Sequence, residues 1–417
     1  MKKIASGEVM PALRVLLVGY NGANNTGAEA LLLSDIEDIR TVFGPDVLIT
    51  VPSFNPANLK RYIRESPNIR IVRVPSIYFP MVNRLVKSHD FVMLVEGSTY
   101  MDTWTSALLW AFLWATRCAH VFGKPVMAYS VDAGEMRSRF NRTMVRKMAS
   151  KTDLIVVRSW AATQRLQAWG VSAPMEVTAD NALNFRINPE DQGWPRRVWP
   201  EGAGRTVGFA MVDFFRWPVV VRMWGRREDC YQWPYYFSRS SERQALSESL
   251  ACGFAELADT LVEEHGKTVA FICMEQLDEP FAHSVHSRMV HPSHARVFSS
   301  RDCNASQLTV LLRSIDLLVT SRYHACVLSL AAAVPQIAVG HDLRLRTIYD
   351  ELGLLEGFFI DADPSTLFEH LGDRVRRLLD NPGLERELLV RGYRNLRERA
   401  KRNRESLRDF ALKRGWI

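Results

Sequence analysis

Short, almost wholly apolar runs recur along the chain at residues 15–18, 47–51, 69–74, 91–95, 126–129 and 154–157. Runs of this length, without polar alternation, are the pattern of strands buried on both faces of a parallel sheet. Between them, residues 28–40, 105–120, 135–149 and 159–169 carry apolar positions three and four apart and predict helices. Strand and helix therefore alternate in the βαβ rhythm of a doubly wound sheet.

The rhythm breaks between about 187 and 204, where Pro, Gly, Trp and charged residues crowd together. It resumes with apolar runs at 206–210, 269–273, 295–298, 317–320 and 336–339. The expected fold class is α/β, with two Rossmann-like domains (1–190 and 205–380) facing across a cleft in a GT-B-like arrangement. A last helix within 381–417, apolar at Leu388, Leu389, Leu396, Leu407 and Phe410, is expected to pack back across the junction. Ligands of such folds sit in the cleft, at the carboxyl ends of the strands.

One segment departs from this plan. Residues 213–240 hold Phe214, Phe215, Trp217, Trp224, Trp233, Tyr235, Tyr236 and Phe237, interleaved with arginines. It reads equally as a packed aromatic insertion or as a flap that touches an acceptor or a membrane, since aromatic and Arg pairs suit sugar faces and headgroups.

Composition narrows the partners. Of 417 residues, 47% are hydrophobic and the net charge is +7, which favours anionic ligands. The basic stretch 391–414 also contains Glu398, Glu405 and Asp409, so it reads first as a solvated helix face and secondarily as a membrane contact. It carries no nucleic-acid-binding signature, and no nucleic acid is expected. The six cysteines are scattered without a CxxC pair, which points to a reducing compartment and away from a structural zinc site. No HExxH or clustered His/Asp pattern is present, so no metal is expected. The N-terminus lacks a signal-peptide pattern, and the apolar stretch 107–115 is far short of the roughly 20 residues of a membrane span. A cytoplasmic protein is expected, with only its first ten residues disordered.

Three loops carry candidate chemistry. At Ser321-Arg322-Tyr323-His324 a buried strand runs into a helix, with Ser321 as N-cap and two potential cations in the first turn, where the dipole disfavours them. That placement is reasonable if an anion binds there, and the competing reading is a surface Arg beside a capping His. The turn 19–28, which contains Asn25 and Gly27, allows close backbone approach to a ligand, yet it is neither GxGxxG nor a Walker sequence. The third loop, Glu96-Gly97-Ser98 with Asp102, follows a strand, and Asp102 reads as a catalytic carboxylate or as a helix cap. Arg158 directly follows the run 154–157 and faces the cleft by position.

Together these blocks resemble the polysaccharide pyruvyl transferase family over most of the chain. The family's Asn-x-Gly-Asp-Glu turn reads here Asn25-Thr26-Gly27-Ala28-Glu29, and its second Gly-rich turn reads Val95-Glu96-Gly97-Ser98 followed by Asp102. A strand ending in Arg matches 154–158, a downstream Asp matches Asp180, and the most specific element is Ser321-Arg322-Tyr323-His324-Ala325. It continues with Val334-Pro335 and His341-Asp342-Leu343-Arg344. The chain departs from the family at Ala28 (usually Asp), Glu96 (commonly Gly), Asp132-Ala133-Gly134 and Arg344 (usually Lys).

The resemblance implies phosphoenolpyruvate as donor substrate, no cofactor, and a pyruvate ketal on a saccharide acceptor, which the aromatic insertion and basic charge suggest is lipid-linked at the inner membrane face. His324, Arg322 and Asp102 are then the expected catalytic residues. Arg158, Ser321, Arg344, Asn25, Gly27, Gly97 and Ser98 are expected to bind substrate. Histidine comes first for proton transfer because imidazole exchanges protons near neutral pH. Two rival readings are a GT-B glycosyltransferase using a nucleotide sugar and a catalytically silent subunit of a polysaccharide assembly complex.

Overall fold

A computed structural model of the chain describes residues 12–417 except 239, 341 and 364. The first ten residues, expected to be disordered, and His341 of the family motif lie outside the described residues. In the N-terminal half, strands β1 (Arg14–Val18), β2 (Leu48–Ser53), β3 (Ile69–Arg73), β4 (Phe91–Leu94), β5 (Val126–Val131), β6 (Leu154–Val157) and β7 (Met175–Val177) form one sheet. Their order is β3-β2-β1-β4-β5-β6-β7, and every pairing is parallel.

The C-terminal half opens with β8 (Thr206–Ala210). It continues through a small antiparallel sheet of β9 (Val219–Val221), β10 (Cys230–Gln232) and β11 (Tyr235–Phe237). A second parallel sheet joins β8 to β12 (Thr268–Cys273), β13 (Ala295–Ser299), β14 (Leu317–Thr320), β15 (Gln336–Val339) and β16 (Phe359–Ile360) in the order β13-β12-β8-β14-β15-β16. The fold is α/β, two Rossmann-like sheets in a GT-B arrangement. In each half the first strand lies beside the fourth, so the crossovers leave that pair in opposite directions and open a crevice at its carboxyl end.

The central strands are the apolar runs of the sequence, and their side chains are buried on both faces. The edge strands β7 and β16 were not visible as runs, because β7 carries Glu176 between two half-buried residues and β16 has two residues. The helix expected over 135–149 begins only at Arg139. Its leading residues are held otherwise: the backbone amides of Arg137 and Ser138 donate to the two carboxylate oxygens of Asp102 at 2.7 and 3.0 Å.

The helix Arg386–Lys413 bridges the halves. Leu389, Leu396 and Ala400 join the C-terminal core, whereas Leu407 and Phe410 join the N-terminal one, with Phe410 stacked on Phe91 at 5.4 Å. Asn403 donates to the Ala179 carbonyl at 2.9 Å and Arg404 to Asp38 at 2.6 Å. Among the described residues, no helix is long and apolar enough to cross a membrane.

Candidate active site

The turn after β14 is closed by its own side chain. Thr320 Oγ1 accepts from the Arg322 amide at 2.9 Å and donates to the Arg322 carbonyl at 3.0 Å. The helix that follows therefore starts at Tyr323 with Arg322 at its N-cap, which corrects the expectation that Ser321 caps it. Ser321 instead faces the cavity. The Arg322 guanidinium is held by two buried carboxylates on the loop after β12: Glu275 at 3.0 Å, and Asp278, which accepts from Nε at 3.0 Å and also from Nη2. Burial pushes both acids above the usual carboxylate range, against the pull of Arg322.

Behind this turn lies a buried polar layer. His324 Nε2 is 3.4 Å from Asp180 Oδ2, and the same oxygen is 2.6 Å from Arg158 Nη1. Burial by itself would raise the Asp180 pKa, but Arg158 and His324 hold it well below the usual carboxylate range. Arg158 also donates from Nε to the Ser130 carbonyl at 2.9 Å, and its guanidinium lies over the Tyr323 ring together with that of Arg344, at 5.4 and 5.9 Å. Asp132 sits nearby, its carboxyl pushed up by burial to about 6. Gly97 makes room for this layer, since a Cβ there would stand 2.2 Å from Arg158 Nη2.

The Gly-rich turn after β1 reaches across the cleft. Asn25 caps the helix Thr26–Phe43 by accepting from the Ala28 amide at 3.0 Å. The Thr26 amide donates to the Met274 carbonyl at 2.8 Å, and the Gln276 amide to the Asn24 carbonyl at 3.0 Å. Glu29 accepts from the Ala305 amide at 2.9 Å, and burial raises its carboxyl to about 7. Gly27 presses on the far domain, where a Cβ would fall 2.0 Å from His324 Nδ1. This turn therefore joins the domains and seats His324 as well as bordering a ligand space.

An interdomain cavity of about 150 Å³ lies at both switch points. Its polar end carries Ser321, Arg322, His324 and Arg344 from one half and Glu96 and Ser98 from the other. Arg344 is tied to Asp342 through Nε and Nη2, the latter at 2.7 Å. Glu96 Oε1 accepts from the Ser98 amide and hydroxyl at 3.3 and 3.2 Å, whereas its buried Oε2 has no partner among the described residues. The apolar end is walled by Phe54, Tyr78, Trp104, Leu108, Trp217 and Tyr235.

The aromatic insertion forms that roof. The Val219 amide donates to the Trp104 carbonyl at 2.8 Å, Trp217 meets Trp104 edge-on at 5.0 Å, and Tyr235 donates to the Ser76 carbonyl at 2.8 Å. Tyr231 and Tyr20 hydroxyls meet at 2.5 Å, with Tyr20 also donating to Glu275 at 3.3 Å. The packed reading thus describes its inner face, while residues 221–228 are exposed.

A family model described as polysaccharide pyruvyl transferase matches residues 25–342, which include most of the cavity wall but not Tyr20 or Arg344. The chain belongs to the polysaccharide pyruvyl transferase family. No curated protein matches its sequence. Among solved structures, S. aureus MnaA with UDP is similar at 10% identity, covering 98% of each chain with a TM-score of 0.62. UDP-N-acetylglucosamine 2-epimerase from Rickettsia bellii is similar at 11% identity, covering 96% of this chain and 98% of that one, TM-score 0.60. Anabaena Alr3699/HepE in complex with UDP-glucose is similar at 12% identity, covering 96% and 100%, TM-score 0.58. Identities this low establish the shared fold and nothing finer.

In this pyruvyl transferase family member the cavity wall brings together His324, Arg322, Ser321, Arg344, Asn25, Gly27 and Ser98. Arg158 and Gly97 lie one layer beneath it. Asp102 is not brought there: it accepts from the Arg137 and Ser138 amides and from Asn141 Nδ2 at 2.9 Å, and this set of donors marks a structural carboxylate. Glu275, Tyr20 and Tyr231 were missed by sequence reasoning. Glu275 stands two residues beyond β12, and its place at a strand's carboxyl end is the signal that marks it.

Proposed function

We propose that this chain transfers the enolpyruvyl unit of phosphoenolpyruvate to two hydroxyls of one saccharide, forming a pyruvate ketal and releasing phosphate. The observation that carries the reading is the convergence of Arg344, Arg322 and His324 with Glu96 on one interdomain cavity. The two domains thus present cationic groups and a carboxylate to the same small space.

Each step has a group to serve it. The donor is a polyanion, and the Arg344 bonds to Asp342 leave Nη1 uninvolved, so that edge is offered to phosphate or carboxylate. Arg322 is shared between Glu275 and Asp278 through Nη1, Nε and Nη2, which makes it the shaper of the wall and leaves Arg344 as the open cation. His324, oriented by Asp180, delivers a proton to C3 of the enol and leaves C2 electrophilic. Glu96 takes the proton of the attacking hydroxyl as its oxygen bonds to C2. A second hydroxyl of the sugar then bonds to C2 while the C2–O bond to phosphate breaks, and its proton leaves with phosphate. Overall, two hydroxyl protons are released, one is regained at C3 as methyl, and one leaves on hydrogen phosphate. The aromatic end suits the CH faces of a sugar and the start of a lipid carrier.

A nucleotide-sugar reaction is the second reading, favoured by solved neighbours that hold UDP or UDP-glucose. Incubation with phosphoenolpyruvate and saccharide acceptors in D₂O separates the two. A ketal methyl bearing one solvent deuteron, with equimolar phosphate, is the expected proton NMR outcome. Turnover of UDP-sugars with phosphoenolpyruvate left intact would overturn the proposal.

A further inference from the structure

The outer face of the roof has a different character from its inner face. β9 and β10 flank β11, both antiparallel to it, and the connection 222–229 leaves the sheet at the end where β9 stops and β11 starts. At that end Trp224 is 82% exposed, Met223 64%, Val221 54% and Trp233 49%. They form one cluster: Trp233 donates from Nε1 to the Met223 carbonyl at 3.3 Å, and Val221 pairs with Tyr235 in the ladder. The hydrogen bond from Tyr235 to Ser76 brings the N-terminal domain alongside, where neighbouring Ile77 is 56% exposed and Phe79 is 36% exposed. Both lips of the cleft thus end in exposed apolar residues, while Tyr235 and Tyr78 on the same segments line the cavity.

Charge selects the partner. Arg222 and Arg227 are exposed on the same connection, and Arg226 is bound to Asp229 and Glu228. The helix Phe79–Ser88 exposes Arg84 and Lys87 and contains no acidic residue. Tryptophan and methionine set among arginines match the boundary between headgroups and acyl chains of an anionic membrane, where aromatic rings stay half wet and cations meet lipid phosphates.

We infer that the two lips of the cleft dock on an anionic phospholipid bilayer through Trp224, Met223, Val221, Trp233 and Ile77, with the cavity mouth at the lipid surface. The docking is independent of the chemistry inside the cavity.

Co-sedimentation of the full chain with vesicles tests it. Phosphatidylcholine vesicles with and without phosphatidylglycerol are compared for wild type, the double variant Met223→Ser/Trp224→Ser, Ile77→Ser and Arg222→Glu. These side chains are exposed, so circular dichroism and melting of the variants should match wild type. Wild type is expected to bind the phosphatidylglycerol vesicles in a salt-sensitive way. The partition coefficient is expected to fall about tenfold or more in the double variant and severalfold in the other two. Wild type remaining in the supernatant with anionic vesicles would overturn the inference, as would variants that bind like wild type. Self-association of wild type that Met223→Ser/Trp224→Ser abolishes, without vesicle binding, would reassign the patch to a protein interface and equally overturn it.

Discussion

Replacing Gly27 by Ala places a methyl group against the proposed proton carrier. Its Cβ would lie 2.0 Å from Nδ1 and 2.3 Å from Cγ of His324, a residue of the opposite domain. Ordinary contact between such atoms is about 3.5 Å, so the imidazole must retreat by roughly 1.5 Å or the domains must part. A shift of that size also breaks the 3.4 Å approach of Nε2 to Asp180. Displacement of a reacting group by about 1 Å costs on the order of 10²-fold in rate. The helix itself should not suffer, because Ala is favoured over Gly in a helix by about 1 kcal/mol. Phosphate release from phosphoenolpyruvate with a saccharide acceptor is therefore expected to fall about 100-fold, with a lowered melting temperature, since overpacking by about 1–3 kcal/mol outweighs the gain in helix propensity. A folded Gly27→Ala protein with near wild-type turnover would refute the assigned role of His324.

Glu96→Gln is expected to lower turnover by about 10²- to 10⁴-fold while phosphoenolpyruvate still binds in calorimetry, because the amide cannot take the hydroxyl proton. Asp102→Ala is expected to destabilise the fold by about 2–4 kcal/mol in denaturant titration, since three donors lose their acceptor, with turnover per folded molecule near normal. A large loss of turnover at full stability would restore Asp102 to the catalytic set. The buried Glu385 accepts from the Gln336 amide at 2.7 Å, and burial raises its carboxyl from 4.5 to about 8. The folded state therefore holds a proton that the unfolded chain releases above about pH 4.5, and stability falls as pH rises from there to about 8, by up to roughly 5 kcal/mol. Glu385→Gln is expected to flatten that limb and to be more stable than wild type at pH 8 in denaturant titration.

The parallel sheets were legible because strands buried on both faces leave unbroken apolar runs, and the break near 187–204 marked where the second sheet begins. The edge strand with Glu176 and the two-residue β16 leave no such run, and the three insertion strands are only three residues each within a stretch dense in aromatic and Arg residues, so they were not. Among the expected site residues, those on strand-to-helix turns do reach the cavity wall: Ser321, Arg322 and His324 after β14, and Asn25 and Gly27 after β1. The state of Arg322 was hidden because its partners, Glu275 and Asp278, come from another loop, and an arginine that reads as an anion receptor proves to be shared between two carboxylates. The surroundings of Asp102 were hidden for the same reason: its donors Arg137, Ser138 and Asn141 follow the next strand, and nothing local announces them. The closeness of Gly27 to His324 is likewise a product of domain packing.

The most direct test of the central claim is calorimetric titration of phosphoenolpyruvate into wild type, Arg344→Ala and His324→Ala, with a UDP-hexose as the comparison ligand. Saturable phosphoenolpyruvate binding that is lost in Arg344→Ala and retained in His324→Ala, with no comparable binding of the UDP-hexose, is the predicted result. Tight UDP-hexose binding without any phosphoenolpyruvate signal would contradict the account.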